Sequence, residues 1–393
     1  MTFARSILAA NHPEGILMRL SCTQENLSKG LATVGRAVAT RTTLPVTQNV
    51  LIEAKESRLK LSATNLEMAI TTWIGAKVTD EGSITIPARL LTDFVSSLPS
   101  QNVDINMTER PLGLHLQCGR FEANINGTEA AEFPPIPTVE DGISARIDAS
   151  MLRSAISKVA FAAATEEIRP VLTGVKLEIS GSQFTMAGAD GFRLAIYRGS
   201  LTEETQEDIE VIIPSRTLSE LQRILSDQSN PVQLIVTPSK NQLLVHLDGI
   251  ELVSQLIQGT FPNYNQIVPQ TYTTRAIVDL QEFLMAARAA SIFSRDGGGI
   301  TRLELLPGQS GNGKIVITSR AEETGDNKGE IDSEIDGDES KIAFSSRYLT
   351  DVLSVMDRGK VILETTTASS PGVIKPMGNE DYTHVVMPMF VQW

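Results

Sequence analysis

The residue types that could carry out catalysis are present in this chain, but their spacing is wrong for it. Gly308-Gln309-Ser310-Gly311-Asn312-Gly313-Lys314 nearly spells the loop that cradles a nucleotide phosphate. It fails at the next step, because Ile315 stands where a Ser or Thr should hold magnesium. Ile315–Thr318 also has strand character where a helix should begin, and without that helix's amides no anion site forms. A hairpin loop is expected there, and nucleotide hydrolysis is set aside. Asp332-Ser333-Glu334-Ile335-Asp336-Gly337 imitates the start of a calcium loop, yet Ala343 occupies the twelfth position, where a bidentate Glu is needed. Ala321–Ser340, acidic and glycine-bearing, therefore reads as a disordered, solvated loop. His12, His115, His246 and His384 are scattered without metal-ligand spacing, and neither Cys22 nor Cys118 lies in a catalytic signature. No active site, metal or cofactor is expected, so the reading is of a protein that is not an enzyme.

Cations are the second kind of chemistry, and their pattern is more informative. Leu27, Leu31 and Val34 have the spacing of one buried helical face, and Lys29 and Arg36 fall opposite it. Leu152, Ile156 and Val159 repeat the pattern with Arg153 and Lys158, as do Phe283, Ala287 and Ala290 with Arg288 and Arg295. Over residues 23–38, 149–163 and 280–295 these six basic residues face only Glu25 and Glu282, within a chain of net charge −13. Three basic helix faces on an acidic body suit a protein that surrounds DNA without adhering to it. Loose phosphate contacts leave a duplex free to slide, and the acidic exterior suppresses stray binding.

A triplicated segment supplies the scaffold for those helices. Ile86-Pro87-Ala88-Arg89-Leu90-Leu91-Thr92-Asp93 returns as Ile213-Pro214-Ser215-Arg216-Thr217-Leu218-Ser219-Glu220 and as Phe344-Ser345-Ser346-Arg347-Tyr348-Leu349-Thr350-Asp351. A repeat of about 130 residues is the size of a whole domain. Each copy reads as a first helix, short Val/Ile/Thr-rich strands, the repeated segment as a second helix, and more strands, which makes the fold class α+β. Arg89, Arg216 and Arg347 each have an acid four residues on, the spacing of an intrahelical pair. Proline-bounded connectors at Phe133–Pro137 and Phe261–Pro269 divide the chain into an extension expected to be unstructured (1–17) and domains at 18–140, 141–272 and 273–393. Two cysteines form no disulfide framework, and no stretch approaches the roughly 18 apolar residues of a membrane span, which points to a reducing cytoplasm.

Five motifs resemble a known family. They are Arg41-Thr42-Thr43-Leu44-Pro45, Thr64-Asn65-Leu66-Glu67-Met68, Ala189-Asp190-Gly191-Phe192-Arg193-Leu194, Phe261-Pro262-Asn263-Tyr264 and Tyr382-Thr383-His384-Val385-Val386-Met387-Pro388-Met389. Together, over residues 18–393, they resemble the bacterial DNA polymerase III beta subunit, the sliding clamp family. The resemblance implies three clamp domains of two helices and antiparallel sheets each, and a head-to-tail homodimer that closes a six-domain ring around duplex DNA. It implies a processivity role in DNA replication, close to the nucleoid. Partners would be double-stranded DNA, the polymerase III catalytic subunit, the clamp loader, and other polymerases and repair proteins that carry short peptide motifs. By resemblance, Arg41 and Arg89 contact DNA, and the ring joint uses Phe121 on one side with Ile292 and Phe293 on the other. A partner-peptide pocket would use Leu172, Gly191, Phe192, Arg193, Leu194, Pro262, Ile267, Val385, Met387, Pro388 and Met389.

The chain departs from the family pattern at Gln266, where a pocket arginine is usual, and at Pro170 and Val171, where aromatic residues near DNA are usual. It also runs on past Met389 as Phe390-Val391-Gln392-Trp393, placed to lean on the pocket rim. The competing reading is a three-domain peptide-binding scaffold that does not encircle DNA.

Overall fold

A computed structural model describes residues 18–138, 141–166, 168–294, 298–321, 323 and 325–393. Residues 1–17 and Arg295 lie outside the described residues. Six α-helices occur among those described: α1 (Gln24–Val34), α2 (Ala88–Ser97), α3 (Ala149–Val159), α4 (Ser215–Ile224), α5 (Leu280–Ser294) and α6 (Ser346–Ser354). They pack side by side as α1 with α2, α3 with α4 and α5 with α6.

Equivalent caps start the first helix of each pair. Thr23 Oγ1 accepts from the Asn26 amide at 3.3 Å, and Asp148 Oδ1 accepts from the Met151 amide at 2.9 Å. Asp279 Oδ1 accepts from the Gln281 and Glu282 amides at 2.8 and 3.1 Å. Each satisfies amides that a helix start leaves open, which stabilises by about 1 kcal/mol. Leu27, Leu31 and Val34, then Leu152, Ile156 and Val159, then Phe283, Ala287 and Ala290 are all buried, so the three predicted faces point into cores. Gly30 lets α1 approach its sheet closely, since a Cβ there would lie 2.9 Å from Leu61 Cδ1.

By compactness the chain forms two units. The first comprises residues up to Thr138 together with His246–Val253, and the second holds Val139–Val245 and Ser254–Trp393. In the first, an antiparallel sheet runs Lys77–Asp80, Arg19–Thr23, Asn102–Glu109, Leu112–Cys118, Phe121–Asn126. Phe121–Asn126 ends that sheet, with its outer edge unpaired among the described strands. Gly82–Pro87, Asn49–Lys55, Arg58–Thr64 and Met68–Gly75 are successive neighbours in a second sheet, and α1 packs on the last two.

The second unit contains a twelve-stranded sheet. Its order begins Ile209–Pro214, Gly174–Ser180, Gln183–Ala189 and Arg193–Ser200, and continues through Tyr382–Val386, Gly372–Pro376, Lys360–Thr365 and Thr274–Asp279. It finishes with Gly325–Gly337, Asn312–Ala321, Ile300–Pro307 and Ser340–Ser345. The expected second and third domains are joined where Arg193–Tyr197 pairs antiparallel with Tyr382–Val386. The expected loop at Ala321–Ser340 is corrected here. Gly325–Gly337 is a 13-residue strand pairing with Asn312–Ala321, and its later residues also pair with Thr274–Ile277. Ile331, Ser333 and Ile335 are buried and alternate with exposed Asp332, Glu334 and Asp336, so burial on one face outweighs the loop-like composition. Gln309–Gly311 forms a short turn between two strands, as a hairpin loop requires.

Candidate binding cleft and basic helix faces

The motif Asp190–Leu194 builds the centre of the cleft in the second unit. Asp190 Oδ1 accepts from the Phe192 and Arg193 amides at 2.9 and 3.0 Å, a local turn that needs Gly191 at φ 94°. The turn throws the Phe192 side chain outward, 60 % exposed, and turns Arg193 inward. Arg193 then uses its whole fork. Nε donates to Asp190 Oδ2 at 3.0 Å, Nη1 to Asp351 Oδ2 at 2.7 Å and Nη2 to the Phe161 carbonyl at 2.7 Å. Its guanidinium lies 4.5 Å from the Tyr348 ring centroid and 5.2 Å from that of Phe161. Arg193 is thus a buried tie between the α6 segment and the Asp190 turn, not a cation free to meet a ligand.

Around this tie lies a cleft of about 460 Å³, lined by 163–166, Ile168, Arg169, Leu172, 190–193, Arg347 and Tyr348. Beside it, Leu172, Leu194, Phe261, Tyr264, Val373 and Val385 belong to one buried apolar cluster, against which Val171 packs. Burial raises the Tyr264 hydroxyl's pKa, and Glu178, its hydrogen-bond acceptor, raises it further. Burial also lifts the Glu178 carboxyl, but bonds from Lys176 and Tyr264 outweigh that and leave it below the usual range. Tyr264 is thereby pinned neutral in the cluster. His384 is fully buried, stacked on Phe161, and burial with the nearby Arg193 charge pushes its pKa down to about 3.

Of the eleven residues predicted for the pocket, Leu172, Leu194 and Val385 are buried in the cluster. Phe192, Pro262, Ile267 and Met387 are exposed, and the Met387 amide donates to the Phe192 carbonyl at 2.8 Å. Pro388 and Met389 are half-buried, and the Met389 amide donates to Ala343, which carries the following residues along the strand Ser340–Ser345. Trp393 ends beside Lys341 Nζ, 5.9 Å from the ring centroid, so this tail leans on that strand. The sequence reading missed Arg169, Tyr348 and Arg347 as cleft residues. Arg347 was visible in the triplicated segment but was assigned to an intrahelical pair, and its separation from Asp351 is 3.8 Å. Arg89 lies 3.8 Å from Asp93 in the same way, whereas Glu220 binds Arg223 at 2.6 Å.

The predicted DNA-facing cations divide. Lys29, Arg41, Arg89, Arg153 and Arg288 are exposed, and Arg36 is half-buried in the turn Gly35–Ala37 that follows α1. Lys158 is corrected. Its side chain is only 7 % exposed, Nζ bonds Asp357 Oδ2 at 2.8 Å, and it lies 5.7 Å from the Tyr197 ring centroid. A buried ammonium needs such a partner to offset desolvation, so Lys158 serves packing between elements of the second unit. At the expected joint, Phe121 is 55 % and Ile292 61 % exposed, with Phe293 partly so.

Among the described residues no group of three His, Cys, Asp or Glu side chains is placed to hold a metal. Burial pushes the Cys22 thiol up to about 12, with Asp104 adding to the effect, which makes it a poor nucleophile. No helix among the described residues is long and apolar enough to cross a membrane.

Comparison with known proteins decides the family. The DNA polymerase III beta subunit N-terminal, central and C-terminal domain families match residues 18–137, 146–263 and 265–390 in turn. The chain belongs to the DNA polymerase III beta subunit family. A beta sliding clamp of Synechocystis is 31 % identical over 95 % of this chain and 99 % of its own length. The crystal structure of the Bacillus subtilis sliding clamp superposes with a TM-score of 0.90 at 27 % identity, covering 96 % of this chain and all of that one. A Pseudomonas aeruginosa sliding clamp crystallised with griselimycin gives 0.89 at 28 %, covering 95 % of this chain and all of that one. The beta subunit family is that of a non-catalytic processivity factor, in keeping with a chain whose cations and clefts suit binding.

Proposed function

We propose that two copies of this chain close head to tail into a six-domain ring around duplex DNA. Each copy contributes domains 18–140, 141–272 and 273–393, and the ring holds the replicative polymerase on its template in the cytoplasm. The observation that carries this reading is a pair of open strand edges of complementary kind. Inside the second unit, the strand Arg193–Ser200 of one copy of the repeat pairs with the terminal strand Tyr382–Val386 of the next. Among the described strands, the first copy's terminal strand, Phe121–Asn126, has an open edge, and so do residues 325–331, which follow their hairpin partner as Arg193–Ser200 follows Gln183–Ala189. One edge of each kind on a single chain is what a closed heterologous assembly requires. Exposed Phe121 and Ile292 beside these edges are the apolar anchors such a joint needs.

Lys29, Arg36, Arg41, Arg89, Arg153, Arg288 and Arg295 are assigned to phosphates of the duplex, and Lys158 is not. The cleft and apolar cluster take short partner peptides from the polymerase catalytic subunit, the clamp loader and repair proteins. The chain should have the solution mass of two copies. It should remain on closed circular DNA at moderate salt and leave when the circle is cut. Equal loss from closed and cut DNA would exclude the ring and leave the peptide-binding scaffold as the reading.

A further inference from the structure

We propose that the outer edge of the strand Ile143–Ile147 binds an extended basic segment of a partner protein as an added strand. The inference stands apart from the ring and from the partner-peptide cleft, and a comparison of the three repeats carries it. In each repeat the strand ahead of the first helix has an inner neighbour. Asn102–Glu109 flanks Arg19–Thr23, Val232–Val236 flanks Ile143–Ile147, and Lys360–Thr365 flanks Thr274–Asp279. Two of the repeats also cover the outer edge. Lys77–Asp80 pairs antiparallel with Arg19–Ser21, and Glu334–Gly337 with Thr274–Ile277. Ile143–Ile147 has no second neighbour among the described strands and stands last in its sheet.

The counterpart segment of this repeat, residues 201–208, is drawn aside instead. The Thr202 amide and Oγ1 donate to the Arg146 carbonyl at 2.9 and 3.1 Å, and the Thr205 amide donates to the Gly181 carbonyl at 3.0 Å. A cleft of about 340 Å³ is left between this segment and the strand. Since the Arg146 carbonyl points outward, so does its amide, and both backbone groups of Ser144, two residues back, point the same way. No partner for the Ser144 amide and carbonyl or for the Arg146 amide is found among the described residues. Strand addition uses such a row of backbone groups for affinity. Charge sets the class of strand. Glu203, Glu204 and Glu207 line the cleft, and Arg146, the one cation among the described residues lining it, donates to Glu203 at 3.2 Å. Glu204 and Glu207 have no ion pair among the described residues, so an incoming Lys or Arg meets open carboxylates.

The test uses the full chain and a labelled nine-residue peptide that alternates Lys with Val and Thr. Its twin is N-methylated throughout, which keeps the charges but prevents the backbone from donating to an edge. Fluorescence anisotropy at low salt should find the parent peptide bound about tenfold more tightly than the twin, the scale of one or two net hydrogen bonds. A Glu-for-Lys version should bind more weakly than the parent, and the gap between them should narrow as salt is raised and in Glu204→Gln combined with Glu207→Gln. Hydrogen exchange over residues 142–147 should slow when the parent peptide is present. Ser144→Pro removes one outward N–H without touching the pairing to Val232–Val236, so it should weaken the peptide about tenfold at an unchanged unfolding midpoint. Equal binding of the parent and its N-methylated twin overturns the proposal, because charge alone would then hold the peptide. So does an absence of binding, or binding with no slowed exchange over residues 142–147. The ring and the partner-peptide cleft would survive any of these failures.

Discussion

The seam inside the second unit and the edges left open among the described strands use the same kinds of strand but present different side-chain chemistry. At the seam, backbone pairing of Arg193–Tyr197 with Tyr382–Val386 is backed by Arg193 on Asp351 and by Lys158 on Asp357. At the free edges, Phe121 and Ile292 stay exposed. A contact fixed by chain connectivity can afford buried charges, which lock geometry but need every partner present. A contact that must form between separate molecules does better with apolar anchors, whose association needs no such alignment beforehand.

Three experiments would break or sharpen that contrast. Phe121→Asp combined with Ile292→Asp should weaken self-association at least about a hundredfold, the effect of losing two anchor residues. Sedimentation would then report one chain's mass, and closed circles would lose the protein; an unchanged mass would place the joint elsewhere. Arg193→Ala should cost about 3 kcal/mol in chemical unfolding of the full chain, because Asp190 and Asp351 lose the guanidinium between them. A loss below about 0.5 kcal/mol, the usual scale of an exposed substitution, would show that the ladder alone holds the seam.

The smallest effect is a dependence on pH. His384 has its folded pKa near 3 against an ordinary 6.5, so between those values the unfolded chain binds the extra proton. Stability should therefore fall as pH drops below about 6.5, by about 1 kcal/mol over the first pH unit. His384→Phe should flatten that part of the curve relative to the parent, and parallel curves would deny His384 the role.

The helix faces were legible because the spacing of Leu27, Leu31 and Val34 is a local signal that its two echoes reinforce. Lys158 was not legible, since its fate depends on Asp357, 199 residues away. Arg193 likewise reads as a pocket cation until Asp351 and the Phe161 carbonyl appear around it. Gly325–Gly337 was misread for a different reason. Its alternation of Ile331, Ser333 and Ile335 was present in the sequence, but acidic and glycine content was given more weight than the period of two.

The unbroken twelve-strand ladder has a mechanical consequence. Flexing the second unit at Tyr382–Val386 would shear a row of amide–carbonyl hydrogen bonds and pull a buried arginine off Asp351 at the same time. Load applied to the assembly, whether by a loading motor or by a taut template, therefore finds no soft hinge at that place. In the proposed ring it is passed along the plate to the margin where two copies would meet.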